Sequence, residues 1–169
     1  MNILIAVATR HGSTLEIGER IAQELRSGGY VVDVRDVEEA SAIEQYGAAV
    51  VGSAIYMGNW LPAARQFVER NREVLTGVPV WLFSRGPLGQ ADPPPHGDPA
   101  HLDELMHATG ALAHRIFAGE LDTSELGLGE RLITRVVKAP AGDFRDWATI
   151  RAWAHEIAMT LATPAGVHQ

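Results

Sequence analysis

The chain has 169 residues, 46% of them apolar and 21% charged, which suits one globular domain with a real core and leaves too little for two of ordinary size. No run of 18 uninterrupted apolar residues occurs, so no membrane span is expected, and the start Met1-Asn2-Ile3-Leu4 lacks the basic region of a secretory signal, which points to a cytoplasmic protein. The absence of cysteine excludes disulfides, thiolate metal sites, iron–sulfur clusters and cysteine nucleophiles, and a net charge of −7 argues against a nucleic-acid partner.

Residues 2–8 (NILIAVA) are apolar without alternation, the pattern of a strand buried on both faces. Residues 9–14 (TRHGST) form a turn, and a helix follows from Leu15 with Ile17, Ile21 and Leu25 at helical spacing, stopped by Gly28-Gly29 in a left-handed cap. Residues 30–35 (YVVDVR) and 48–54 (AAVVGSA) predict the second and third strands, and 60–75 a second helix with Leu61, Ala64, Val68 and Leu75 on one stripe. A fourth strand is expected at 78–84 (VPVWLFS), with Pro79 near its start where a missing N–H is tolerated. The prolines of 90–99 (QADPPPHGDP) require a loop. Then come a short helix at 102–109, a fifth strand at 111–119, and a last helix capped by Asp143 or Asp146, with Trp147, Ile150, Ala154, Ile157 and Leu161 on its stripe. The expected domain is 1–163, with an insert at about 120–142 and a tail at 164–169.

Strands alternating with helices imply an α/β fold of three layers, a parallel sheet between right-handed crossover helices. With five strands the expected order is 2-1-3-4-5, and a ligand crevice then lies beyond the carboxyl ends of the strands, between the first and third. Three loops meet there. The first is Thr9-Arg10-His11-Gly12-Ser13-Thr14, where a helix start offers unpaired N–H groups, Gly12 allows close approach, and three hydroxyls can donate to a phosphate. An alternative is a plain capping box, with Ser13 as N-cap and Glu16 three residues on. Neither a nucleoside-triphosphate loop nor a dinucleotide fingerprint is present, which favours a mononucleotide phosphate. The second loop, Ser53-Ala54-Ile55-Tyr56-Met57-Gly58-Asn59-Trp60, offers two aromatics as the wall of a flat-ring pocket, or as packing for the following helix. The third, Ser84-Arg85-Gly86-Pro87-Leu88-Gly89, is a Gly-Pro turn whose backbone can approach a ligand closely, or a simple turn.

On these residues the chain resembles the flavodoxins. It is most similar to the flavodoxin-domain group containing the menaquinone-dependent protoporphyrinogen oxidases, through TRHGST, VVGSAIYMGNW, the fifth strand ending Ala118-Gly119, and the last helix from Asp146-Trp147 to Ala154-His155-Glu156-Ile157-Ala158. The resemblance implies a flavodoxin-like fold with FMN as cofactor. Thr9, Arg10, His11, Gly12, Ser13 and Thr14 would surround the phosphate. Ser53, Ala54, Ile55, Tyr56, Met57, Gly58 and Trp60 would face one side of the ring, Tyr56 or Trp60 stacking and Gly58 near its N5 edge. Ser84, Arg85, Gly86, Pro87, Leu88 and Gly89 would hold the other edge. His11 stands where a small or acidic residue is more usual. The third loop lacks a second stacking aromatic: Phe83 is within the strand and His96 is the nearest planar residue in the loop, so that ring face is open to a substrate or partner.

The implied function is electron transfer or quinone- or NAD(P)H-linked oxidoreduction, with a redox protein or a small-molecule or quinone substrate as partner. The alternative is protoporphyrinogen oxidation with menaquinone as acceptor. It draws on the insert, where Arg131, Arg135 and Lys138 fall opposite Leu132, Ile133, Val136 and Val137 if helical, so that 128–138 could rest on a membrane surface or pack on its own domain. A third hypothesis, an interaction module without flavin, predicts a colourless protein. No catalytic acid or base is forced by the sequence, and His96 and His101 around Asp98 lack a third fixed ligand, so no metal site is expected. The acidic stretch 36–44 reads as a solvated connector or a docking face.

Overall fold

The structure, a computed structural model, describes residues 1–86, 98–118, 120–121, 142–143 and 146–163. The strands are β1 (Asn2–Ala8), β2 (Val31–Asp36), β3 (Ala48–Tyr56), β4 (Asn59–Trp60), β5 (Val80–Gly86), β6 (Ala113–Ala118), β7 (Glu120–Leu121) and β8 (Gly142–Asp143). The helices are α1 (Ser13–Ser27), α2 (Pro62–Arg70), α3 (Arg72–Leu75), α4 (Leu102–Thr109) and α5 (Trp147–Ala162), with one 3₁₀ turn at Ile43–Gln45. Five parallel strands form the main sheet in the order β2-β1-β3-β5-β6, the expected doubly wound arrangement.

The apolar run of β1 is buried on both faces, as its lack of alternation predicts. Leu4, Ala6 and Ala8 join one core with Phe67 and Val68 of α2, Leu75 of α3 and Leu105 of α4. Ile3, Ile5 and Val7 join the other with Ile17, Ile21 and Leu25 of α1 and Ile150, Trp153 and Ile157 of α5. In that second core Phe83, Phe117 and Trp153 form a tilted aromatic cluster, with centroids 5.5–6.3 Å apart. The Phe83 ring lies directly over Gly52, where an added Cβ would come within 2.1 Å of it. Gly52→Ala therefore has to push aside a ring already held by two others. It should lower stability by about 1–3 kcal/mol, read as a lower urea midpoint; an unchanged midpoint would mean that Phe83 moves freely.

Several boundaries differ from expectation for local reasons. The second helix begins at Pro62, not at residue 60, and breaks at Asn71, whose side-chain amide donates to the Phe67 carbonyl (2.9 Å). The strand after it starts at Val80, beyond Pro79, and runs two residues further, to Gly86. Gly29, with φ +93°, takes the left-handed conformation after α1, whereas Gly28 keeps a negative φ. Asp146 caps α5 through Thr149 N–H (3.1 Å), which resolves the choice against Asp143, whose place is in β8. The pairing of β7 with β8 closes the ends of the insert on each other. Residues 122–141, with the amphipathic pattern of 128–138, and the tail 164–169 lie outside the described residues. Among the described residues no helix is long and apolar enough to cross a membrane.

Candidate functional site at the carboxyl edge of the sheet

Strand register fixes where the three loops emerge. Ala8 pairs with Ser53, Ser53 with Ser84, and Ser84 with Ile116, so one row crosses four strands at the carboxyl end of β1, and the other strands end two or three residues beyond it. The crossover from β1 to β2 runs one way and that from β3 to β5 the other. The crevice between β1 and β3 is thereby opened at the level of Thr9 and Ala54.

The first loop is not a capping box. Gly12 is the N-cap of α1, in the left-handed conformation at φ +84°, and no side chain caps the helix, which already includes Ser13. The turn is closed instead by the Gly12 N–H donating to Thr9 Oγ1 (2.9 Å), while the Gly12 carbonyl accepts from Glu16 N–H (3.1 Å). A left-handed cap suits glycine, which has no Cβ to clash, and an added Cβ at Gly12 would meet nothing within 4 Å. Among the described residues, the space beside Gly12 is open. In the first turn of α1 Ser13 and Thr14 are buried, and the fully buried Thr14 Oγ1 has no hydrogen-bond partner among the described residues. A buried hydroxyl left so forfeits about 1–3 kcal/mol, and polar groups in native proteins are seldom left in that condition without a ligand or water to meet them.

The second loop is a β-hairpin where the sequence suggested an open loop. Ile55 and Tyr56 pair antiparallel with Trp60 and Asn59. The turn between them is Met57-Gly58, with φ +50° and +78°, the pair of positive values that a two-residue hairpin turn needs. Its carbonyls are engaged: Asn59 Nδ2 donates to the Met57 oxygen (3.2 Å), and the Ala100 N–H donates to that of Gly58 (2.7 Å). At the tip Tyr56 is 47% and Met57 84% exposed. The Arg10 guanidinium stacks on the Tyr56 ring, 4.1 Å from its centroid, so the first and second loops touch across the crevice.

The base of this hairpin is held by the two serines of the register row. Ser53 Oγ accepts from Leu61 N–H (3.0 Å) and donates to the Ala54 carbonyl (2.8 Å). Ser84 Oγ accepts from the Trp60 indole N–H (2.7 Å) and lies 2.7 Å from His114 Nε2 of β6. Both serines are completely buried. Burial drives the His114 pKa below its ordinary 6.5, opposed by the nearby Asp98 carboxylate.

The site residues expected from the sequence thus separate. Thr9, Arg10, His11, Gly12, Ser13 and Thr14 gather at the α1 entrance, and Ile55, Tyr56, Met57 and Gly58 form the hairpin beside it. Trp60 does not face the crevice: it is 1% exposed and packs in the core over α2, so it has no ring face to offer a ligand. Ser53, Ala54 and Ser84 are likewise interior, and the two serines spend their hydroxyls on scaffolding. Arg85 and Gly86 end β5, while Pro87, Leu88, Gly89 and His96 lie outside the described residues. His101 pairs with Glu104 (3.3 Å). The contribution of His114 was not legible, since its link to Ser84 spans 30 residues and no local motif announces it.

Comparison with known proteins agrees with this architecture. The chain shares 34% identity over 86 residues with protoporphyrinogen IX dehydrogenase (quinone) of Escherichia coli strain K12, a match covering 50% of this chain and 48% of that protein. The matched segment therefore spans about half the length of these curated relatives. An archaeal flavodoxin superposes with a TM-score of 0.64 at 16% identity, covering 96% of this chain and all of that one. Flavodoxin 1 of Bacillus cereus superposes at 0.65, also with 16% identity and 96% and 100% coverage. At such identities these superpositions establish the fold. The flavodoxin domain profile matches residues 4–147, and the chain belongs to this family of FMN-binding redox proteins.

Proposed function

We propose that the crevice beside β1 and β3 holds FMN, and that the chain is an electron carrier or a quinone- or NAD(P)H-linked oxidoreductase acting through it. The observation that carries this reading is the fully buried Thr14 Oγ1, without a partner among the described residues, in the first turn of α1 two residues after the left-handed, unobstructed Gly12. A phosphate group fits such a place: first-turn N–H groups lack intrahelical acceptors, the helix end carries partial positive charge, and the Thr14 hydroxyl can donate.

When bound, FMN supplies one- and two-electron redox chemistry at its ring. The chain's part is to bind and orient it. Thr9 holds the Gly12 turn in shape through its hydroxyl, and Ser13 and Thr14 contribute the amides and hydroxyls of the α1 entrance. Tyr56 is the aromatic available for stacking, in place of Trp60, with Arg10 covering one of its faces. Tyr56→Ala should weaken FMN about tenfold, in line with the energies of aromatic contacts, and should relieve quenching of flavin fluorescence. Unchanged quenching would remove Tyr56 from the ring contact.

The test of the reading is the chromophore. A yellow protein that releases FMN on denaturation supports it, as does a colourless one that turns yellow with added FMN. A colourless protein that ignores FMN would leave the interaction-module hypothesis in its place.

A second reading, oxidation of protoporphyrinogen with a quinone acceptor, is supported by the 34% identity over 86 residues to relatives of that name. The basic amphipathic pattern of 128–138, suited to a membrane surface, is its sequence counterpart. Anaerobic incubation with protoporphyrinogen and a menaquinone analogue tests it. Turnover in detergent or with liposomes supports the oxidase, and failure in both returns the chain to the carrier reading.

A further inference from the structure

We propose that His114 is a positioning residue for the flavin-facing hairpin, acting in its neutral form through Ser84 on Trp60; the inference rests on the FMN reading above. The chemistry of the groups sets the direction of the chain. An indole N–H can only donate, so Ser84 Oγ receives Trp60 Nε1–H at 2.7 Å. The serine proton is then free to be donated to His114 Nε2, also at 2.7 Å, provided that nitrogen is the unprotonated one. In that arrangement the Trp60 N–H, the Ser84 hydroxyl and His114 Nε2 all have partners, in a place where an unsatisfied polar atom is expensive.

Protonation of His114 breaks the pattern. Its Nε2 becomes a donor, so Ser84 faces two N–H donors and its own proton loses its acceptor. A positive charge also appears in a half-buried position. Of the charged groups in the described residues, the Asp98 carboxylate acts on His114 and favours the proton; Ser84 and Trp60 bring no charge against it. Burial outweighs Asp98, and the folded-state pKa lies below 6.5. The sign follows: the stability that the neutral chain contributes is complete above pH 6.5, and it is lost as the pH falls through 6.5 to the lower folded-state value.

The link from this chain to the ligand is short. Trp60 is one of the two residues of β4, paired with Ile55 directly below Tyr56, and the neighbouring Leu61 N–H is held by Ser53, the register partner of Ser84. Disturbing Ser84 therefore acts on one of two adjacent anchors of the turn that presents Tyr56, Met57 and Gly58.

The experiment compares wild type with His114→Gln, whose amide oxygen can accept from Ser84 but does not titrate, and with Ser84→Ala. The first readout, made without flavin, is the indole ¹H–¹⁵N resonance of Trp60 between pH 8 and 5, assigned by its loss in Trp60→Phe. It should shift with a midpoint below 6.5 in wild type and stay fixed in His114→Gln and Ser84→Ala. The second is FMN affinity over the same range, followed by fluorescence. The phosphate itself titrates near pH 6 in every variant, so the informative quantity is the difference between proteins. Wild type should lose at least about fivefold more affinity than His114→Gln as the pH falls, the low end of the coupling expected between linked sites. A Trp60 resonance that does not titrate, or titrates equally in His114→Gln, overturns the proposal. So do parallel losses of FMN affinity in the two proteins. A resonance that titrates through His114 in a protein that binds no FMN at any pH upholds the chain of hydrogen bonds and overturns the flavin reading instead.

Discussion

Trp60→Ala is expected to lower folding stability by about 3–5 kcal/mol, the range for deleting a large aromatic from a close-packed core. The side chain is 1% exposed, belongs to the core between the sheet and α2, α3 and α4, and donates its N–H to Ser84. Truncation leaves a cavity under the hairpin and removes the donor that Ser84 now receives. Trp60→Phe keeps most of the volume and loses only the hydrogen bond, so it should cost about 1–2 kcal/mol. Chemical denaturation of both variants separates the contributions. Equal midpoints for Ala and Phe would mean that the ring contributes little to packing. If, against expectation, Trp60→Ala left stability untouched and abolished flavin quenching, Trp60 would face the ligand after all.

The second large effect is expected from Ser13→Asp. Ser13 is the first residue of α1 and is buried at the crevice. A carboxylate there is favourable for the helix itself, by about 0.3–1 kcal/mol, because it meets the positive end of the macrodipole. Toward a phosphate dianion it is repulsive: two unit charges in contact near a protein surface oppose each other by about 3–4 kcal/mol. The dipole offsets part of the cost of seating a carboxylate at this buried position, so the variant should lose some stability and, once folded, bind FMN at least about 100-fold more weakly, roughly the factor that 3 kcal/mol represents. High salt should recover part of the loss, since screening lengths shorten. Unchanged FMN affinity at low salt would contradict the assignment of this loop to the phosphate.

The parts of the fold that were legible share a cause. β1 declared itself because burial on both faces leaves no room for polar alternation, and α1 because Ile17, Ile21 and Leu25 keep helical spacing on the stripe they bury. The location of the crevice followed from strand order alone, since the reversal of winding is a property of topology. The misreadings also have causes. Ser13-Thr14-Leu15-Glu16 satisfies a capping pattern, yet the left-handed Gly12 one residue earlier takes the cap and draws Ser13 into the helix. The Met57-Gly58 turn lacks the asparagine or aspartate that usually announces a two-residue hairpin, so the extension of β3 to Tyr56 was invisible. Trp60 stood open between ring stacking and packing because sequence gives residue type and not side-chain direction, and its burial decides for packing. Its orientation was decided by Ser84, 24 residues away, and that serine's other partner by a histidine on the edge strand.

Titrating the flavin-free protein with FMN and, in parallel, with riboflavin tests the central claim most directly. The account predicts that FMN binds at least about 100-fold more tightly, because two charge-assisted hydrogen bonds at the α1 entrance are worth about 1.5–3 kcal/mol each, and that Thr14→Val narrows the gap. Equal affinity for the two flavins, or binding of neither, would contradict it.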